Sequence, residues 1–403
     1  MFDRLNHIIT EHNSWRLSCI NLVASENVMS PLARKAIQSD FGHRYFFQNI
    51  HKFMEGFSYS HRGVKFISEM VDIGIELAKE IFKVDYASLY PLSGHQANLG
   101  VLFAFCKTGD SILCNSPENG GYPGLDKQKL PKYLGLNVEY LPWDVHNFDM
   151  IDIEKTISII ERIKPKILLL SSAHTLFPIK LNDITEVCRK HSCILVYDGS
   201  HPLGLIAGNR FQKPIEEGSD LLIGGTQKSF PGPQGGIILS NKHADKIKAV
   251  EHFVLVDNSH LHRIAALTIT LLEMKYYGDD YADQIIRNSK HLAKHLSKLE
   301  VPVHYEEHGF TESHILKLKI NKDYEKLTSD LERANIIVDN SGRIGCNEMT
   351  RFGMKESEME KIAELIAHIF HGNNSLSLKN EVISLRKDFQ DVNYCFQDDF
   401  YSK

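Results

Sequence analysis

Residues 221–236, LLIGGTQKSFPGPQGG, decide how the rest of the chain is read. The apolar run LLIGG fits a buried strand, and it gives way to Thr226 and Lys228 before two prolines and three glycines enforce a tight turn. A lysine at a strand end is ordinarily a solvated cap. The alternative is a stiff turn that holds one amine in a dry site, where it loses its proton and attacks a carbonyl.

Outward from this stretch, between about 84 and 240, short apolar runs alternate with helical patterns. ASLYPL, DSILCN, VEYLPW, KILLLSS, CILVYD, LLIGG and GGIILS are the strand candidates. Such alternation predicts a mostly parallel sheet covered by helices, with ligands held outside the carboxyl ends of the strands. Ser172, Asp198 and Lys228 each follow or end one of these runs. After residue 245 the pattern turns to long helices (KIKAVEHFVL, HRIAALTITLLEMKYY, DQIIRNSKHLAKHLSKL). A smaller strand-and-helix region follows (VPVHYE, HILKLKI, NIIVDNS), closed by the helix MKESEMEKIAELIAHIF. The expected organisation is an N-terminal helical arm over 1–50, a large cofactor-binding domain over 51–275 and a small α+β domain over 276–403.

With 403 residues, 42% hydrophobic and 24% charged, the chain is long enough for one large domain and a smaller one. Its net charge of −5, with both signs interspersed, suggests neither a nucleic-acid groove nor a polybasic membrane anchor. Small molecules and further copies of the chain are the expected partners. Seven cysteines contain no C-x-x-C, so no disulfide framework and no metal site is expected. MFDRLNHIITEHNSW reads as an amphipathic helix and no apolar run approaches 18 residues, so a cytoplasmic protein is expected.

Asp198, in VYDGSHPLG, would by itself suit a helix cap as well as a site. Together with Lys228 and the stretch SGHQAN at 93–98 it suggests pyridoxal 5'-phosphate. That cofactor needs an amine for its aldehyde, an anion for its ring nitrogen, and backbone N–H groups at a helix start for its phosphate. Ser93, Gly94 and His95 open such a helix.

In order along the chain, NLVASENVMSP, LSGHQAN, GDSILC, YDGSHPLGL, GGTQKSFPGPQGG and SGRIGCNEMTRFGM resemble the serine hydroxymethyltransferases, especially the archaeal type. The resemblance covers nearly the whole chain. It implies the aspartate-aminotransferase-like architecture (pyridoxal phosphate fold type I): a large α/β domain around a mostly parallel seven-stranded sheet, and a smaller α+β domain. It also implies a homodimer with active sites at the subunit interface, and the segment Asn258–His260 is a candidate for contacts to the partner's cofactor. By resemblance Lys228 binds the cofactor's aldehyde, Asp198 pairs with its ring nitrogen and His201 lies beside it. Tyr122, in PENGGYPG, takes the ring-stacking position usually held by histidine, which keeps the aromatic face and loses a titratable group. Ser172 matches a serine near the phenolic oxygen, with His174 where tyrosine is usual. Thr226 is expected near the phosphate or ring, or equally as a brace of the turn. Arg343 matches the arginine that binds the substrate carboxylate bidentately, and Ser25 matches a second contact to it.

The departures fall where the family handles folate. Most members carry a tyrosine and, two residues on, a glutamate; here Tyr45 is followed by Phe47, and Glu55 takes the glutamate position only with a shift of eight residues. Tyr59 or His61, in YSHRG, stands in loosely for a later tyrosine. NIIVDNSGRIG lacks the polar loop for the pterin, and Pro123 replaces a leucine that lines the folate site. Lys228, Tyr45, Glu55 and His61 are therefore the catalytic candidates. The expected activity is folate-independent cleavage or formation of the Cα–Cβ bond of a β-hydroxy amino acid, as an aldolase or transaldolase. Folate-dependent hydroxymethyl transfer is the nearest alternative, then transamination, racemisation or decarboxylation on the same lysine, and last a non-catalytic scaffold.

Overall fold

The computed structural model describes residues 1–47, 61–144, 150–319, 324–373 and 375–397. Two compact units divide the chain: Met29–Asp279 with Phe396–Lys403, and Met1–Val28 with Asp280–Cys395.

The larger unit is built on a seven-stranded sheet: β1 (Tyr86–Ser88), β2 (Ser111–Cys114), β3 (Asn137–Tyr140), β4 (Ile167–Ser171), β5 (Ile194–Asp198), β6 (Leu221–Gly225) and β7 (Gly236–Ser240). Their order is β1-β7-β6-β5-β4-β2-β3, and β7 alone runs against the others. Each of the seven runs read as strands from the sequence supplies one of them. β6 and β7 are buried at every residue and β5 at all but its first, which explains the continuous apolar stretches: both faces of the sheet are covered.

α1 (Phe2–Leu17) opens the chain and buries none of its residues. In α2 (Lys65–Phe82), Ile67, Val71, Gly74, Ala78 and Phe82 recur at helical spacing and are buried. α3 (Gly94–Phe105) lays Ala97, Val101, Leu102 and Phe105 on Ile112, Ile167, Leu169, Val196 and Ile238 of the sheet. Burying each such aliphatic side chain contributes about 1.5–3 kcal/mol.

The two helical patterns after residue 260 are one helix, α4 (Leu261–Lys298), 38 residues long. In the smaller unit, Ile20–Asn21 pairs in parallel with Ile336–Ile337, and Ile315–Lys317 pairs antiparallel with Arg343–Gly345. α5 (Glu356–Phe370) buries Met359, Ile362, Ala363 and Ile366 in that unit's core. α5 does not close the chain: a further helix, Ser375–Lys387, follows. Among the described residues no helix is long and apolar enough to cross a membrane.

Candidate active site

Parallel neighbours β4, β5 and β6 end side by side, with Ser171 opposite Asp198 and Asp198 opposite Ile223. Their carboxyl ends and the start of α3 enclose a cavity of about 230 Å³. Ser93, Gly94 and His95 line it from α3, and Tyr122 and Ser172 from beside β4. Asp198, His201 and Lys228 line it from the turns after β5 and β6.

Asp198 is buried and its carboxylate accepts four hydrogen bonds. Oδ2 receives Asn98 Nδ2 at 3.0 Å and Ser171 Oγ at 2.9 Å. Oδ1 receives the backbone N–H of Ser200 at 3.0 Å and its Oγ at 2.6 Å. These contacts fix the group's orientation at the cavity wall. Asn98 is itself tied to α3 through Gly94 O at 3.0 Å.

The turn that carries Lys228 is braced on both sides. Thr226 is fully buried; its N–H donates to Gly235 O (3.1 Å), its carbonyl accepts from Gly232 N–H (2.9 Å) and its hydroxyl donates to Pro233 O (2.6 Å). Ser229, also fully buried, donates to His201 O and accepts from Gly204 N–H at 3.0 Å. Thr226 is not among the residues lining the cavity, and its hydroxyl serves the turn.

Ser93 caps α3 by accepting Gln96 N–H at 3.1 Å, while the N–H groups of Gly94 and His95, at the first turn, have no acceptor within the helix. A Cβ on Gly94 would lie 3.0 Å from Ser200 Oγ and 3.2 Å from Gly225 N, so glycine here eases the close approach of α3 to the end of β6. Tyr122 is set by its N–H bond to Ser171 O (3.2 Å) and by a 3.0 Å contact between its hydroxyl and His95 Nδ1. Burial, and after it the charge of Asp198, push the Tyr122 hydroxyl above the usual tyrosine range. Ser172 Oγ accepts His174 N–H at 3.0 Å.

Arg263, on the first turn of α4, was not foreseen. Its buried guanidinium donates to Leu89 O (2.6 Å) and Tyr90 O (3.2 Å), and Nη1 lies 2.6 Å from where a Cβ on Gly235 would sit. Burial pushes its pKa down to about 10. Asn98, Ser171, Ser200 and Gln227, which line the cavity as Arg263 does not, were missed as site residues. Three of them lie inside motifs already singled out, SGHQAN, YDGSHPLG and TQKSF, and Ser171 sits one residue before Ser172.

Tyr45, Phe47 and His61 do not line the cavity; they belong to a cluster of rings. Tyr45 stacks on His61 at 5.6 Å, and Phe47 packs against His252 at 5.5 Å and Phe253 at 5.2 Å. Glu55 and Tyr59 lie outside the described residues. Ser25 and Arg343 are in the smaller unit, where a Cβ on Gly345 would run into Ala24, so the Ser25 segment packs on the strand that carries Arg343. Arg343 Nη2 pairs with Asp339 Oδ2 at 2.7 Å and Nε donates to Ser341 Oγ at 2.7 Å.

The family described as serine hydroxymethyltransferase matches residues 2–366. The chain belongs to the serine hydroxymethyltransferase family. Serine hydroxymethyltransferase of Methanopyrus kandleri is 39% identical, over 96% of this chain and 94% of that one. The protein of the same name from Korarchaeum cryptofilum is 36% identical, over 98% and 97%. Among solved structures, L-threonine transaldolase from Pseudomonas fluorescens, in its internal aldimine state, superposes with a TM-score of 0.91 at 26% identity, over 98% of this chain and 93% of that one. This member of the serine hydroxymethyltransferase family is accordingly a pyridoxal-phosphate-dependent enzyme of the transferase or aldolase type, with the fold type I architecture.

The donor set fits that cofactor. Buried acceptors Asn98 Oδ1 and Gln227 Oε1, both on cavity-lining residues, have no hydrogen-bond partner among the described residues. Asp198 offers a fixed carboxylate suited to a ring bearing N–H, while the start of α3 suits a phosphate.

Proposed function

We propose that this enzyme makes or breaks the Cα–Cβ bond of a β-hydroxy amino acid without a folate, as an aldolase or transaldolase. The observation that carries the reading is Phe47, buried at 8% exposure among His61, His252 and Phe253, two residues after Tyr45, where the family pattern read without a shift has its glutamate. A phenyl ring moves no proton and offers the polar edge of a pterin no partner, at about 1–3 kcal/mol for each bond left unmade. The likeness to a threonine transaldolase supports the same reading.

Bound pyridoxal phosphate supplies an aldehyde that amines can join and a ring that takes up the electron pair of the broken bond. In this reading Lys228 provides the protein's amine, held in place by the turn between Thr226 and Ser229. Asp198 holds the proton on the ring nitrogen, its own orientation set by Asn98, Ser171 and Ser200. Ser93, Gly94 and His95 bind the phosphate through the start of α3, while Tyr122 stacks on the ring and His201 and Ser172 flank it. Arg343 binds the substrate carboxylate, with Ser25 as second contact; its pair with Asp339 keeps the guanidinium fork oriented. Tyr45, His61 or Glu55 takes the proton of the substrate hydroxyl.

The names of the archaeal relatives favour a second reading, folate-dependent hydroxymethyl transfer. Purified enzyme incubated with serine, threonine and allo-threonine, with and without tetrahydrofolate, separates the two. Glycine and acetaldehyde should form from a threonine isomer at a rate the folate leaves unchanged. Strong, saturable stimulation of serine-to-glycine conversion would overturn the proposal and assign the glutamate's role to Glu55.

The proposal includes a homodimer. Phe2, Leu5, Ile8 and Ile9 of α1 are 52–79% exposed, an apolar surface that a second copy of the chain would cover.

A further inference from the structure

α4 carries His291 and His295 one turn apart, so their rings stack on one face with centroids 4.5 Å apart. Glu360 of α5 meets both. Its Oε1 is 2.9 Å from His291 Nε2 and 3.1 Å from His295 Nε2, and the three ligating atoms all lie within 4.8 Å of one another. Both imidazoles turn the same nitrogen to the same oxygen, although a carboxylate has two oxygens to share between two donors. A tetrahedral ion bonded at about 2.0–2.1 Å holds its ligand atoms about 3.3 Å apart, close to the two nitrogen–oxygen separations seen here, so small side-chain rotations bring the three atoms to an ion.

We propose that His291, His295 and Glu360 form a three-ligand site for a borderline divalent cation, Zn²⁺ foremost, with the fourth position open to water. Two imidazole nitrogens and one carboxylate oxygen select against Ca²⁺ and Mg²⁺, which prefer oxygen-only sets. The side chains are 22–47% exposed, so the ion enters from solvent. Lys294 and Lys298 stand close enough to His295 to weaken the binding of a cation. The ion would fasten α4 to α5, two helices whose inner faces (Leu292 and Leu296; Ile362 and Ile366) already share the core of the smaller unit. Cysteine spacing gave no sign of this site because no cysteine takes part.

The test uses tag-free holoenzyme stripped with EDTA and titrated with ZnCl₂ by calorimetry, without substrate. One Zn²⁺ per chain is expected, together with a rise of several degrees in Tm at hundredfold excess over Kd. Co²⁺ in its place should give the visible bands of a four-coordinate N/O site. His295→Gln and Glu360→Gln should each weaken binding at least tenfold and abolish the Tm rise, while His368→Ala, an exposed control on α5, should change neither. His291→Ala is the third arm, and circular dichroism of every stripped variant confirms folding. Equal Zn²⁺ binding by His295→Gln, or no binding of wild type below millimolar Zn²⁺, would overturn the proposal.

Discussion

Lys228 has fully buried Thr226 and Ser229 close on either side of it, so its backbone has little freedom to wander from the cavity. Lys228→Ala should fold normally, lose the visible absorbance of lysine-bound cofactor, and lose roughly 10³-fold or more in rate; an absorbance spectrum and a threonine-cleavage assay decide it. Asp198→Asn is a different kind of change. All four contacts to Asp198 come from donors, two to each oxygen, so an amide must turn its own NH₂ toward two of them, costing about 1–3 kcal/mol for each bond lost beside the loss of charge. The variant should bind cofactor, melt several degrees lower and turn over roughly 10²–10³-fold more slowly; equal turnover would show that the carboxylate is not used. Lys228 and Asp198 were legible in the sequence because a turn and a strand end announce them. Asn98, Ser171 and Ser200 were not, since a neutral polar side chain gains meaning only when the fold delivers it to a carboxylate.

At the scale of elements, the entry of β7 and the start of α3 are locked together. A Cβ on Gly236 would run into Ser93 O and lie 2.8 Å from Ser93 C, both backbone atoms that cannot swing aside. Gly236→Ala should therefore displace the start of α3 and weaken pyridoxal phosphate binding by about tenfold or more, with the far-ultraviolet dichroism of the native fold retained. Ser93→Ala removes the cap to Gln96 and should cost about 1 kcal/mol of stability, read by denaturant titration. The central strands were legible because apolar runs buried on both faces carry their own signal, whereas β3, buried at none of its residues, was legible from its alternating pattern. The helices were less so. HRIAALTITLLEMKYY and DQIIRNSKHLAKHLSKL read as two because Gly278 and paired aspartates interrupt the apolar pattern, yet the backbone continues and packs Gly278 against Met274 and Gly208. Helix Ser375–Lys387, with leucines and serines in near alternation, has a weak periodic signal and was passed over.

For the whole molecule, the proposed homodimer and the apolar exposure of α1 together predict that the full chain runs as a dimer and that removing residues 2–17 shifts it to monomer, which light scattering coupled to gel filtration would read; an unchanged mass would exclude α1 from the interface. One more property follows from the way the smaller unit is assembled. Ile20 and Asn21 pair with Ile336 and Ile337, so the first strand emerges from a ribosome some 316 residues ahead of its partner (336 − 20). Ile20 and Leu22, fully buried in the finished protein, must wait through most of synthesis without the surface that covers them. Folding of this unit cannot proceed vectorially from the amino end, and Ile20 and Leu22 gain their cover only when translation is nearly complete.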